Sequence, residues 1–424
     1  MGASSRTTND DNGTARIASS SSTLIYAADL AVDETLHVAL KQLGPKGLAA
    51  VAEPASGNSS SSRSNSSSSS SSNSNAAALE LLAVTGNADR LSLTLMGYKG
   101  GLVEDQINQD RGFVWYNATA NCSMIGVLDG HGTTGHFVSE HARDALIGEF
   151  GTLLGTNPAN EEEATDKSNT HQDAISQAFL RVEASLPQRI AIGGGATVSI
   201  VLQQNDTIYV ANAGDSQSLI AAAVTVPLLS ATPETTITVL YASRLDKPDD
   251  PDERARILKA GGIVSEASDD DDARVSYMQD GEEWGLAMSR SVGDIAAVGV
   301  TAEPLVHVFS KQALVERART QWQEDCESFK AAASANDTDD DCSDKTALSL
   351  DIQLFVVSAT DGLVDYFEPA ELARVMGAAF YDPATNTHPL KAAEALIHAA
   401  TKEWHDEMAG EYRDDITLSA ARIL

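Results

Sequence analysis

The sequence predicts an α+β fold in which antiparallel sheets are covered by helices, and three observations predict it. Short β-rich runs lie beside Asp-Gly or Gly-Asp pairs: Ser123–Leu128, Ala196–Leu202, Thr207–Ala211 and Leu354–Ser358. Asn205-Asp206, between two of these runs, marks a hairpin turn. Helical segments are set between the hairpin-joined strands, which argues against a Rossmann fold. Taken in order, the helix His136–Phe150 carries Phe137, Ala142, Leu146 and Ile147 at helical spacing. Asp250-Pro251-Asp252-Glu253 supplies an N-cap, a proline at the first helical position and a capping-box glutamate, and Gly261-Gly262 stops that helix. Glu368–Ala379 and Pro389–Met408 read as two further helices.

At roughly 150 residues per domain, the 424-residue chain allows up to about three domains or one large domain with insertions. Its 42% apolar content suffices for a sizeable core. Against 61 Asp+Glu, 29 Lys+Arg leave a formal charge of −32, which disfavours nucleic acid and anionic membrane as partners and suits cations. Cys122, Cys326 and Cys342 are too few for a disulfide framework and none forms a C-x-x-C pair, which points to a reducing compartment. No apolar run reaches the ~18–20 residues of a membrane span, and residues 1–20 lack a signal-peptide core. Met1-Gly2 invites myristoylation, but Arg6 stands where Ser or Thr is wanted. The expectation is a soluble cytoplasmic protein, with the nucleus equally compatible.

Residues 1–78 read as a mostly disordered Ser/Asn-rich region, in which apolar residues within 23–53 are able to add an ordered strand or helix. Ser56–Asn75 is a flexible spacer, since Ser and Asn bury too little apolar surface to offset chain entropy. The globular domain is expected over 79–424, with acidic insertions at 157–171 and 331–345. Asp337-Thr338-Asp339-Asp340-Asp341 invites a calcium-loop reading that fails, because Cys342 holds the glycine position and Leu348 the final position. Asp269–Asp272 reads as a solvated run in the same way.

Chemistry is carried by carboxylates at strand ends. Ile125-Gly126-Val127-Leu128 delivers Asp129, followed by Gly130-His131-Gly132, whose glycines let a carbonyl approach a ligand closely. Leu354–Thr360 delivers Asp361-Gly362, and Arg413-Asp414-Asp415 opens the apolar run Ile416-Thr417-Leu418. Strand-end carboxylates without a Cys/His cluster suit hard cations such as Mg²⁺ or Mn²⁺ better than zinc. An ordinary strand-to-turn junction is the competing reading for any one of these sites.

In series, these blocks resemble the metal-dependent, type 2C (PPM) protein serine/threonine phosphatases. The matching residues are Asn108-Gln109-Asp110; Val127–Gly132; Gly195-Ala196-Thr197 with Val210–Ser216; Lys247-Pro248 with Gly261-Gly262; Leu286–Asp294; Ser358–Leu363; and Asp414–Thr417. They keep the family's order over about residues 95–424, apart from the acidic insertions. The resemblance implies a four-layer α-β-β-α sandwich, two antiparallel sheets flanked by helices, with a pair of Mg²⁺ or Mn²⁺ ions at one end. It implies that Asp129 bridges both ions and that Gly130 offers its carbonyl. Asp361 and Asp414 complete one ion, and Asp110 helps hold the other. Such a pair activates a water and neutralises phosphoryl oxygens. His131 resembles the family's general acid, and the substrates implied are phosphorylated proteins acted on by a monomer. No phosphate loop with a nucleophilic cysteine is present, so a phosphocysteine mechanism has no support.

Several positions depart from the family. Gly97–Gln109 contains no arginine to clamp phosphate, only Lys99, so Lys99 or Arg111 is the candidate substitute. Gln109 stands where many members have Glu, and Val364 where Trp is common. Leu245 holds the place of an aspartate linked to a third, weaker metal, which leaves Asp246 as the candidate there. Asn212, Gly214, Asp215, Ser216, Ser289, Arg290 and Gly293 read as structural, and Asp294 as an outer partner of the site. The alternative from another class is a catalytically weak or inactive relative that binds a partner. An acidic, calcium-buffering scaffold rests on the Asp runs alone.

Overall fold

The computed structural model describes residues 23–24, 82–102, 105–118, 120–155, 164–226, 234–267, 272–279, 281–334, 350–385 and 387–423. The expectations for 1–22, for the Ser/Asn-rich spacer and for most of the acidic runs lie outside these residues, as does all of 23–53 beyond Thr23–Leu24. In chain order the strands are β1 (Thr23–Leu24), β2 (Leu82–Gly86), β3 (Arg90–Leu95), β4 (Arg111–Asn117), β5 (Cys122–Leu128), β6 (Gly130–Gly132), β7 (Gly194–Ala196), β8 (Val198–Gln204) and β9 (Thr207–Ala213). They continue with β10 (Gln217–Val226), β11 (Glu234–Ala242), β12 (Ile263–Val264), β13 (Val275–Gln279), β14 (Glu282–Leu286), β15 (Val292–Gly293), β16 (Leu305–Ser310), β17 (Asp351–Ala359) and β18 (Ile416–Arg422). The helices are α1 (Gly135–Gly155), α2 (Ala164–Ser185), α3 (Gln188–Gly193), α4 (Pro251–Ala260), α5 (Lys311–Ser334), α6 (Asp361–Val364), α7 (Pro369–Tyr381) and α8 (Pro389–Glu407).

Two six-stranded sheets, ordered β1-β4-β5-β8-β9-β16 and β11-β10-β17-β18-β3-β2, form the frame, with three-stranded sheets β12-β13-β14 and β15-β7-β6 beside them. Neighbours in both large sheets pair antiparallel, as the hairpin pattern predicts. Asn205-Asp206 makes the β8–β9 turn, with Asn205 at φ +52, a conformation that asparagine tolerates better than most side chains. β8 is buried along its whole length, so Ser199, Gln203 and Gln204 are enclosed with its apolar residues and the strand does not alternate in burial.

Three apolar clusters give the stacking. Phe113, Leu128 and Ile200 of the first sheet pack against Val138, Leu146 and Phe150 of α1 and Ile175 and Phe179 of α2. Leu93, Phe355 and Leu418 of the second pack against Met376 and Phe380 of α7 and Leu396 and Ile397 of α8. Between the sheets, Val114, Ile125 and Val210 meet Ile220, Val224 and Val356, closed at the side by Leu314 and Trp322 of α5. Each such side chain contributes about 1.5–3 kcal/mol on burial. The acidic stretch 157–171 is helical from Ala164 onward, and α5 is a helix the sequence reading does not anticipate. Among the described residues no helix is long and apolar enough to cross a membrane.

A polar seam also joins the sheets. Ser199 of β8 and Ser218 of β10 lie 2.8 Å apart, and Ser419 of β18 donates to the Gly126 carbonyl of β5 at 2.9 Å. These buried hydroxyls satisfy one another, so two faces that look apolar in sequence are pinned at one relative position.

Candidate metal-centred active site

Antiparallel pairing decides where the acids meet. β5 ends at Leu128 opposite Arg111, the start of β4, so Asp129 and Asp110 leave the first sheet side by side. β17 ends at Ala359 opposite Leu418 of β18, so Asp361 and Asp414-Asp415 leave the second sheet together. The side chains then converge. Asp129 feels the charge of Asp361 first, then those of Asp110 and Asp414.

Burial, then the charge of Asp361, pushes Asp129 well above the usual carboxylate range. Burial, then the charge of Asp414, does the same to Asp361, and burial with the neighbouring Asp415 raises Asp110 to about 7. Like charges crowded away from water are relieved by a proton or by a cation. Asp110 Oδ2 accepts from Thr360 Oγ1 at 2.9 Å, while Oδ1 of Asp110 and Oδ1 of Asp361 are buried without partners. Asp414 accepts from Tyr412 Oη at 2.8 Å and pairs with Lys99 Nζ at 2.8 Å. Asp415 accepts from the Gly97 and Gln109 backbone N–H groups at 2.6 and 2.9 Å, pinning the segments that bring Lys99 and Asp110 to the rim. At Gly130 a Cβ would stand 2.5 Å from the Gln109 carbonyl oxygen, so a side chain there would force that segment apart.

Among the described residues no group of three or more Asp, Glu, His or Cys side chains is placed to hold a metal ion. The donor chemistry nonetheless fits Mg²⁺ or Mn²⁺: oxygen donors alone, two of them buried and unpartnered, and an excess of negative charge.

His131 follows on β6. Its Nε2 lies 2.7 Å from Asp294 Oδ2; burial opposes the charged imidazole, but the Asp294 carboxylate outweighs it and raises the pKa. Gln109, read as a lost carboxylate, has its own task, donating from Nε2 to the Gly132 carbonyl at 2.9 Å and so bracing the histidine turn.

Two of the candidate residues have partners of their own. The Arg111 guanidinium donates to the carbonyls of Asn108 and Asp110, at 2.9 and 2.7 Å, and to Glu140. Asp246 is fully buried and accepts from Arg244, Asn212 and the Gly214 N–H, so it anchors the turn. Lys99, by contrast, is brought to the acids, 35% exposed. The sequence reading missed a second tier. Lys247 Nζ pairs with Asp215 at 2.7 Å, and Asp215 adds its charge to Asp361. Burial raises Asp365 to about 6 despite Lys247. A signal for Asp365 existed in its spacing, four residues beyond Asp361 on one helical face.

Fold and rim together define an α+β scaffold that gathers hard oxygen donors at one end of two antiparallel sheets. A solved structure of this fold, a serine-threonine phosphatase 2C from Toxoplasma gondii, aligns with a TM-score of 0.52 and 17% identity over 79% of this chain and 95% of its own. The family model described as protein phosphatase 2C matches residues 104–317, half of the chain. The chain belongs to the protein phosphatase 2C family, whose members are protein serine/threonine phosphatases. Similar relatives include "Probable protein phosphatase 2C 73" of Arabidopsis thaliana, 24% identical over 74% of this chain and 75% of that protein. "Probable protein phosphatase 2C 64" of Oryza sativa subsp. japonica is 26% identical over 77% of this chain and 63% of its own length.

Proposed function

We propose that the chain hydrolyses phosphoserine and phosphothreonine in proteins with a pair of Mg²⁺ or Mn²⁺ ions held by Asp110, Asp129, the Gly130 carbonyl, Asp361 and Asp414. The observation that carries this reading is the pair of buried, unpartnered oxygens of Asp110 and Asp361 at the strand ends that also deliver Asp129 and Asp414. Bound there, the ions supply water activation near neutral pH and neutralise phosphoryl charge. The protein's own residues do the rest. Thr360 holds Asp110, Tyr412 holds Asp414, and Asp415 ties the loops that carry the site. His131 donates a proton to the departing Ser or Thr oxygen. Lys99 meets the phosphoryl group as a point charge, without the bidentate fork of an arginine.

The catalytic domain is read as 79–424, in a monomeric cytoplasmic enzyme whose charge of −32 sets it against nucleic acid and anionic membrane as partners. The test is hydrolysis of a phosphothreonine peptide and p-nitrophenyl phosphate with Mn²⁺, with EDTA, and in Asp129→Asn and Asp361→Asn. Turnover should need the metal and fall by orders of magnitude in both variants. Turnover indifferent to EDTA rejects the mechanism, and none with any metal points to a partner-binding relative.

A further inference from the structure

The block Ser289–Asp294 ends against His131, and its geometry is built around one contact. Asp294 is almost wholly buried, and its Oδ2 accepts from His131 Nε2 at 2.7 Å and from Ser291 Oγ at 2.6 Å. Its backbone sits at φ +48, left-handed and rare for a residue with a Cβ, directly after Gly293 at φ +97. The Asp294 N–H donates to the Gly194 carbonyl at 3.1 Å, and Gly293 pairs with Gly195 across β15 and β7. At Gly195 a Cβ would stand 2.0 Å from Asp294 Oδ2 and 2.9 Å from His131 Nε2. The imidazole–carboxylate contact therefore exists because that position carries no side chain.

We propose that Asp294 is a positioning residue that fixes the orientation and tautomer of His131, and so decides which ring nitrogen delivers the proton. This rests on the reading of His131 as proton donor. An ionised carboxylate only accepts, so Nε2 keeps its hydrogen on Asp294. The transferable proton is then on Nδ1, which is buried without a hydrogen-bond partner in the unliganded protein, so that substrate entry must uncover it. As the P–O bond to the Ser or Thr oxygen breaks, the Nδ1–H bond breaks and its proton passes to that oxygen. The neutral ring that remains is still held through Nε2–H.

The experiment compares Asp294→Asn, His131→Asn and the double variant in the full chain with Mn²⁺, on a phosphothreonine peptide and on p-nitrophenyl phosphate, whose leaving group departs without a proton. Asn is nearly isosteric and at home at positive φ. Asp294→Asn should lose about 10²-fold in kcat on the peptide, change little on p-nitrophenyl phosphate, and be no worse combined with His131→Asn. Gly195→Ala should give the same bias by pushing the pair apart. In the metal-free wild type, ¹⁵N NMR should show His131 hydrogenated at Nε2, and Asp294→Asn should disperse that signature while Mn²⁺ affinity by calorimetry holds. Equal losses on both substrates, or an unchanged imidazole signature, overturn the proposal. Loss of peptide turnover in His131→Asn with none in Asp294→Asn overturns it but leaves the acid role standing. Full peptide turnover in His131→Asn removes the acid role, and the proposal with it.

Discussion

Replacing Asp361 by Asn should stabilise the metal-free protein and abolish its response to metal. Asp361 and Asp129 act on each other's charge in a buried setting where Asp414, Asp215 and Asp110 add further negative charge. Two carboxylates about 4 Å apart repel by about 4 kcal/mol at an effective dielectric near 20. A bound proton already relieves much of this, so the neutral amide should return about 1–2 kcal/mol. At about 2–4 °C per kcal/mol for a domain of this scale, the variant should melt roughly 2–8 °C higher in EDTA. The wild type, by contrast, gains about 2.7 kcal/mol when Mn²⁺ stands a hundredfold above its Kd, and the variant should gain none. Scanning calorimetry with EDTA and then with Mn²⁺ should therefore show the order of the two melting temperatures reverse. A variant that melts below wild type in EDTA and still shifts with Mn²⁺ would refute the reasoning.

Other outcomes follow from the same charges. Asp110 titrates near 7 in the folded protein, and Asp129 and Asp361 also lie above the usual range. Their unfolded values lie near 3.9, so their contribution to stability is full below about pH 4 and falls as pH rises above that, the share of Asp110 being lost through about pH 7. Urea unfolding in EDTA should show that decline and Mn²⁺ should flatten it; a flat profile in EDTA contradicts the shared-acid site. Glu253 is buried, yet its bonds from Arg290 at 2.6 and 3.0 Å and from Arg256 at 2.5 Å outweigh burial and hold it at about 2. Glu253→Gln removes the closest counter-charge of buried Arg290, leaving it only Asp246 at 4.0 Å, and should cost about 3 kcal/mol in urea, with the Mn²⁺ response intact; a cost under about 1 kcal/mol denies that pair its role. Lys99→Met removes an ammonium 2.8 Å from Asp414. For a partly exposed pair of about 1 kcal/mol, Mn²⁺ affinity by calorimetry should tighten about 3–10-fold while inhibition by inorganic phosphate weakens. Both moving the same way argues against Lys99 as competitor for one and ligand for the other.

Strand ends were legible because apolar runs closing on Asp-Gly or opening after Asp-Asp are local signals, and Asp129, Asp361 and Asp414 emerge where those signals place them. The helix Pro251–Ala260 was legible for the same reason: its proline start and Gly261 stop lie within a few residues. What stayed hidden depends on partners far apart in the chain. Asp415 reaches Gly97 across 318 positions, and Lys247 reaches Asp215 across 32. No local pattern separates such residues from solvated charges. Nothing in the sequence around Arg111 shows that backbone carbonyls accept from its guanidinium. In α2 the polar first turns mask the helical spacing of Ile175, Phe179 and Val182, which face α1 and the first sheet.

Anomalous diffraction from crystals grown with Mn²⁺ addresses the central claim, that these strand-end acids cage a pair of divalent cations. Two peaks beside Asp129, one also flanked by Asp361 and Asp414 and the other by the Gly130 carbonyl, are the predicted result. An empty rim in crystals of protein that still cleaves a phosphothreonine peptide would contradict it.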